Sequence, residues 1–193
     1  SFARIRDRLN QAVMVFAGDG PQRLELEEEA VRLGIETSVR FAGFLDRKRL
    51  VDLYRAADVF LFASKTETQG LVIVEAMAAG TPAVAVRAMG VRDVVRDGEN
   101  GFLVSEDADA LAERAVCVAT DRELAARLAK GALATAEETS LQNGVLRLVE
   151  VYEESLAARP SSRRPRSPSP RLRAWRRTAS CRSGSAARVP TRR

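Results

Sequence analysis

Two acidic residues, Glu67 and Glu75, bracket a stretch whose remaining side chains are nearly all small or apolar: Glu67-Thr68-Gln69-Gly70, then Leu71-Val72-Ile73-Val74, then Glu75, then Ala76-Met77-Ala78-Ala79. The run is long enough for a helix. It opens at Gly70 and stops at Gly80 and Pro82. A helix that is apolar on every side belongs inside a protein. An ionised carboxylate there costs free energy unless it is paired or hydrogen-bonded. Glu75 is therefore expected to be buried, and a ligand explains it better than stability does. The first backbone amides of such a helix, at Thr68, Gln69, Gly70 and Leu71, lack intrahelical partners and attract anions, and a glycine lets a phosphate close to the main chain. Glu75 lies ~7–8 Å along the axis from Gly70 at the usual helical rise. One carboxylate can thus reach beyond each end of a diphosphate. Carboxylates accept hydrogen bonds from vicinal hydroxyls, and a sugar and a ribose both offer them. This is the layout of a nucleotide-sugar site.

Such a site needs elements to hold it. Short apolar runs at Ala12–Ala17, Val39–Ala42, Val59–Phe62, Ala83–Val86 and Phe102–Val104 show no polar alternation and read as strands buried on both faces. Helical segments separate them: Gln22–Leu33, Asp46 to about Ala57 with Leu50, Leu53 and Tyr54 at core spacing, and Leu71–Ala79. The chain after Asp107 is expected to be helical, broken near Thr120–Asp121 and again near Gly131. A last amphipathic helix spans Leu141–Leu156. Strands that alternate with helices predict an α/β fold, a Rossmann-like doubly wound parallel sheet. Ligands of such sheets sit beyond the carboxyl ends of the strands. The loops at issue are therefore Gly18–Pro21, Gly43–Asp46, Ser64–Gln69 and Arg87–Gly90.

Composition removes several chemistries. There is no histidine, and the two cysteines, Cys117 and Cys181, are isolated. Ser-His-Asp and Cys-His mechanisms are excluded, and a zinc site has no ligand set. The net charge of +5 is misleading as a whole: residues 158–193 hold twelve arginines and no acid, which leaves 19 basic against 26 acidic side chains before them. That Arg/Pro/Ser-rich tail cannot bury enough apolar surface to offset its chain entropy and is expected to be disordered. It reads as a spacer or an out-of-frame translation rather than as a basic arm for lipid or nucleic acid. Residues 1–157 form the one expected domain. No apolar stretch reaches the ~18 residues of a membrane span, and Ser1–Asn10 has no signal-peptide pattern. A cytoplasmic protein is expected, at most peripheral to the inner face of the membrane. Because the first residue is Ser1, the natural start is expected upstream.

The ordered segments VFAGDGP (Val15–Pro21), VRFAGFL (Val39–Leu45), LYRAADVFLFAS (Leu53–Ser64), the E-x7-E pair, EAMAAGTPAVA (Glu75–Ala85) and GVRDVVRDGENGFLV (Gly90–Val104) resemble the C-terminal domain of glycosyltransferase family 4. These are retaining enzymes of the GT-B fold, and the resemblance runs from about Val13 to Glu154. It implies that Glu67, as the catalytic residue, contacts donor-sugar hydroxyls and orients the anomeric carbon. Glu75 would bind the ribose, the amides of Gln69, Gly70 and Leu71 the diphosphate, and Phe44 and Leu45 would lie beside the base. It implies a nucleoside-diphosphate sugar as donor substrate, a transferred hexose, and no cofactor or divalent metal. It also implies an N-terminal GT-B domain that carries the acceptor site and is missing from this sequence, as is a first strand with a diphosphate-clamping Arg and Lys. The fragment is therefore expected to be inactive alone. The form Thr66-Glu67-Thr68-Gln69-Gly70, with Gln69 where many members carry Phe, is similar to the subset that glycosylates diacylglycerol, which leans toward a lipid acceptor. A UDP-sugar 2-epimerase of the same fold would want a histidine. A nucleic-acid binder would rest on the basic tail alone, and no nucleic-acid partner is expected.

Overall fold

The structure, a computed structural model, describes residues 1–158. In chain order they form α1 (Phe2–Arg8), β1 (Met14–Ala17), α2 (Arg23–Arg32), a 3-10 turn (Glu36–Ser38), β2 (Val39–Gly43), α3 (Arg47–Ala56), β3 (Phe60–Phe62), α4 (Leu71–Ala78), β4 (Ala83–Val86), α5 (Met89–Val94), β5 (Gly101–Val104), α6 (Ala108–Thr120), α7 (Arg122–Glu138) and α8 (Leu141–Ala157). The chain divides into two units, Ser1–Leu148 and Val149–Arg193. Both sheets and both glutamates belong to the first. The Arg-rich tail, from residue 159, lies outside the described residues.

All strand pairs are parallel. β1 pairs with β2, Met14 opposite Val39, and β4 runs between β3 and β5 with Ala83 opposite Phe60 and Gly101. Parallel neighbours need a crossover, and each consecutive pair of strands has a helix between its members. β4 is the centre of its sheet, and its four residues are buried. Ala83 and Ala85 pack with Ile73 and Met77 of α4 and with Val91 and Val94 of α5. Val84 and Val86 pack with Leu111 and Val118 of α6 and Leu128 of α7. Helices therefore cover both faces of this sheet, as a doubly wound fold requires.

Three expectations change. β1 is not buried on both faces: Phe16 is 37% exposed, and Val15 is likewise exposed. Among the described residues β1 has a partner on one edge only, and none of its side chains joins the core clusters. Second, Gly131 does not break the last long helices; α7 runs through it. A Cβ there would lie 2.1 Å from the carbonyl oxygen of Glu99, so the glycine serves a close crossing of α7 over the turn before β5. Third, the expected loop Arg87–Gly90 runs into a short helix: residues 89–94 form α5, whose Val91 and Val94 are core residues.

Candidate functional site

The loop from β3 to α4 carries the first glutamate. Lys65 pairs with Glu106 in the loop after β5, which ties the loops on either side of β4 together. Glu67 then folds its side chain back over the residues that follow. Its Oε1 accepts hydrogen bonds from the amides of Thr68 at 3.1 Å, Gln69 at 2.9 Å and Gly70 at 2.8 Å. These donors hold the Glu67 carboxyl below the usual carboxylate range, the Gln69 and Gly70 amides most strongly. Gly70 precedes α4 with φ +67°, a left-handed conformation that suits glycine. Added there, a Cβ would also meet Val94 Cγ2 at 3.0 Å. On the other side of the loop, the amide of Gly90 donates to the carbonyl oxygen of Glu67 at 3.1 Å.

Glu75 differs from expectation. It is exposed, not buried. α4 buries one face through Ile73, Ala76 and Met77 and turns Leu71, Val72, Glu75 and Ala78 outward, with Leu71 60% exposed. An all-apolar sequence shows that a helix can be buried all round; its neighbours decide whether it is. The exposed face borders a cavity of about 130 Å³ lined by Glu75, Ala78 and Ala79 of the α4 segment and by Arg47, Leu50, Val51 and Tyr54 of α3. α3 is set by the side chain of Asp46, which caps it by accepting from the Arg49 amide at 2.9 Å. Its far end is fixed by the buried Thr81 hydroxyl, which donates to the Tyr54 carbonyl at 2.6 Å. Burial, and then the charge of Glu75, push the Tyr54 hydroxyl above its ordinary pKa.

The structure thus gathers Glu67 with the Gln69 and Gly70 amides, while Glu75 lies apart in the α3–α4 cavity. Leu71 contributes the first helical position of α4. Phe44 and Leu45 occupy the loop between β2 and α3, Phe44 89% exposed and Leu45 half-buried. Among the described residues neither Glu67 nor Glu75 has an ion-pair partner. Arg47 and Tyr54 escaped the sequence reading as neighbours of Glu75. Their spacing with Leu50 and Val51 at three, four and seven residues marks one helix face. It could have been read, had the partner of that face been known.

Residues 1–135 match the family described as Glycosyl transferases group 1. The chain belongs to this family. The D-inositol 3-phosphate glycosyltransferase of Acidothermus cellulolyticus is 40% identical over 139 residues, covering 72% of this chain and 31% of that protein. The lipopolysaccharide core biosynthesis glycosyltransferase LpsE of Rhizobium meliloti is 40% identical over 124 residues, covering 64% and 36%. The chain therefore spans about a third of the length of these family members. Among solved structures, Anabaena HepE in complex with UDP and glucose superposes with a TM-score of 0.66 at 30% identity, over 82% of this chain and 45% of that one. Sucrose-phosphate synthase from Thermosynechococcus elongatus gives 0.70 at 28% identity, over 82% and 42%. These likenesses confirm the Rossmann-like α/β half of a GT-B glycosyltransferase as the fold. Among the described residues no helix is long and apolar enough to cross a membrane.

Proposed function

We propose that this chain carries the donor site of a retaining glycosyltransferase that transfers a hexose from a nucleoside-diphosphate sugar. The observation that supports it best is the loop of three consecutive amides already converged on one anionic oxygen, that of Glu67. In this reading a phosphate oxygen takes the place of that carboxylate oxygen on the Gln69 and Gly70 amides, joined by Leu71. Glu67, turned out of the loop, accepts hydrogen bonds from sugar hydroxyls and orients the anomeric carbon. Glu75, at its cavity beside α3, accepts from the ribose hydroxyls, with Phe44 and Leu45 next to the base. The glycosidic bond to the diphosphate breaks and its electron pair leaves with the nucleotide. The acceptor oxygen attacks from the same face and gives its proton to the departing phosphate oxygen. The amide dipoles, fixed before the reaction, stabilise the departing charge, and no divalent metal or cofactor takes part. UDP is the nucleotide suggested by the similarity to HepE.

The acceptor and the closure of the site are assigned to a further domain of the GT-B fold, so the 193-residue chain binds donor weakly and does not turn over. Titration calorimetry with UDP tests the reading. The chain is expected to bind UDP, Glu75→Ala to lose that binding, and EDTA to leave it unchanged. No heat from UDP with the unmodified chain, or binding indifferent to Glu75→Ala, overturns the assignment. Sugar transfer by the purified chain alone overturns the assignment of acceptor chemistry to another domain.

A further inference from the structure

We propose that Gly90 is a positioning residue for the donor site: by lacking a side chain it lets the start of α5 press on the backbone of the Glu67–Gly70 loop and so fixes where the loop amides point. The inference rests on the donor-site reading. Its basis is space. A Cβ at Gly90 would lie 2.3 Å from the carbonyl carbon of Thr68, 2.4 Å from its oxygen and 2.6 Å from the nitrogen of Gln69. All three are backbone atoms, so no flexible side-chain tip can give way; the loop itself would have to move. At Gly18, Gly20 and Gly98, by contrast, a Cβ would meet nothing within 4 Å. The contact is also directional, because the Gly90 amide donates to the Glu67 carbonyl at 3.1 Å.

α5 cannot retreat to make room. Val91 and Val94 are core residues packed with Ile73 and Met77. Val94 also reaches the other end of the loop, where its Cγ2 lies 3.0 Å from the Cβ that Gly70 lacks. One short, anchored helix therefore touches the loop at Thr68–Gln69 and again at Gly70. The side chains of Thr68 and Gln69 are exposed, so the loop has little packing of its own to hold its course. What the contact fixes is the main chain, and the main-chain amides are what a diphosphate would use.

The experiment is Gly90→Ala in the 193-residue chain, read by UDP calorimetry and by carbon-13 titration of the Glu67 carboxyl. UDP affinity is expected to fall about tenfold, the loss of one charge-assisted amide–phosphate hydrogen bond. The Glu67 carboxyl is expected to move up toward the ordinary carboxylate range as the amides cease to converge on it. A role in stability alone would lower the melting temperature and leave the Glu67 titration where it was. Should Gly90→Ala not fold, Val94→Ala, which removes methyls that face Gly70 as well as packing in the core, is expected to shift both readouts in the same direction by less. A folded Gly90→Ala chain with both readouts unchanged overturns the role of Gly90 while the donor site stands. Failure of the unmodified chain to bind UDP overturns the donor site and the role of Gly90 with it.

Discussion

Glu67 meets its own loop as an incoming anion would, and this sets what its removal should do. If the carboxylate and a phosphate oxygen compete for the Gln69 and Gly70 amides, Glu67→Ala frees those donors. UDP, which has no sugar for Glu67 to read, is then expected to bind several-fold more tightly, and any preference for UDP-glucose over UDP is expected to vanish. Parallel titrations with the two ligands check this; weaker UDP binding would sink the competition. The same hydrogen bonds carry a pH signature. A carboxyl whose pKa is depressed by folding contributes stability that is present above its unfolded pKa and lost as pH falls through the folded one. The Gln69 and Gly70 amides should therefore stay protected at neutral pH and lose protection, measured against their intrinsic exchange rates, only below the ordinary carboxylate range, as hydrogen exchange followed from neutral into acid would show. The sequence located Glu67 and the amides beside it. It did not reveal that the side chain would occupy those amides itself. A glutamate three residues before Gly70 is long enough to fold back and accept from the helix start, much as a short N-cap side chain does, and the choice depends on whether another anion is present.

At the scale of elements, apolar runs and capping residues located every strand and most helices to within two residues. Asp46, Asp107 and Asp121 each accept from the amide three residues on, the sort of cap that spacing alone makes visible. Contacts between elements were not legible. α5 is six residues long and contains a glycine, too short for helical periodicity to register, and its role is evident only from what Val91 and Val94 pack against. Glu75 was misplaced for the same reason, since the outward face of α4 is set by its neighbours. Intrinsic propensity disfavours glycine inside a helix and makes Gly131 read as a breaker; its close approach to Glu99 reverses that inference. Gly131→Ala should therefore destabilise the chain despite the better helix former, by about 1–3 kcal/mol from overpacking. Denaturant unfolding checks this, and a stabilised variant would contradict the close crossing. Asn100 ties down the turn beneath α7: at 1% exposure it donates to the Val94 carbonyl and to the Thr135 hydroxyl and accepts from the Arg96 amide.

For the whole molecule, family membership settles the kind of scaffold, and the distribution of charge says how it would receive a donor. Before residue 158 acidic side chains outnumber basic ones, 26 against 19, so a negative diphosphate gains no general attraction from this part of the chain. Local dipoles are the means left to it, which suits a site built from aligned amides rather than from a field of lysines. Exposed apolar side chains at Phe44, Leu71 and Met89 follow β2, β3 and β4 in the chain, after the strand ends beside which parallel sheets bind ligands. β1 has a separate consequence. It presents Met14-Val15-Phe16-Ala17 with one margin hydrogen-bonded to β2 and, among the described residues, no strand on the other, a template on which a second chain can extend the ladder. Concentrated solutions should therefore show association that grows with protein concentration, and Val15→Lys, which places a charge on that ribbon, should suppress it in sedimentation profiles. Among the described residues, the strand most open to a neighbour is then the one farthest in sequence from Glu67 and Glu75.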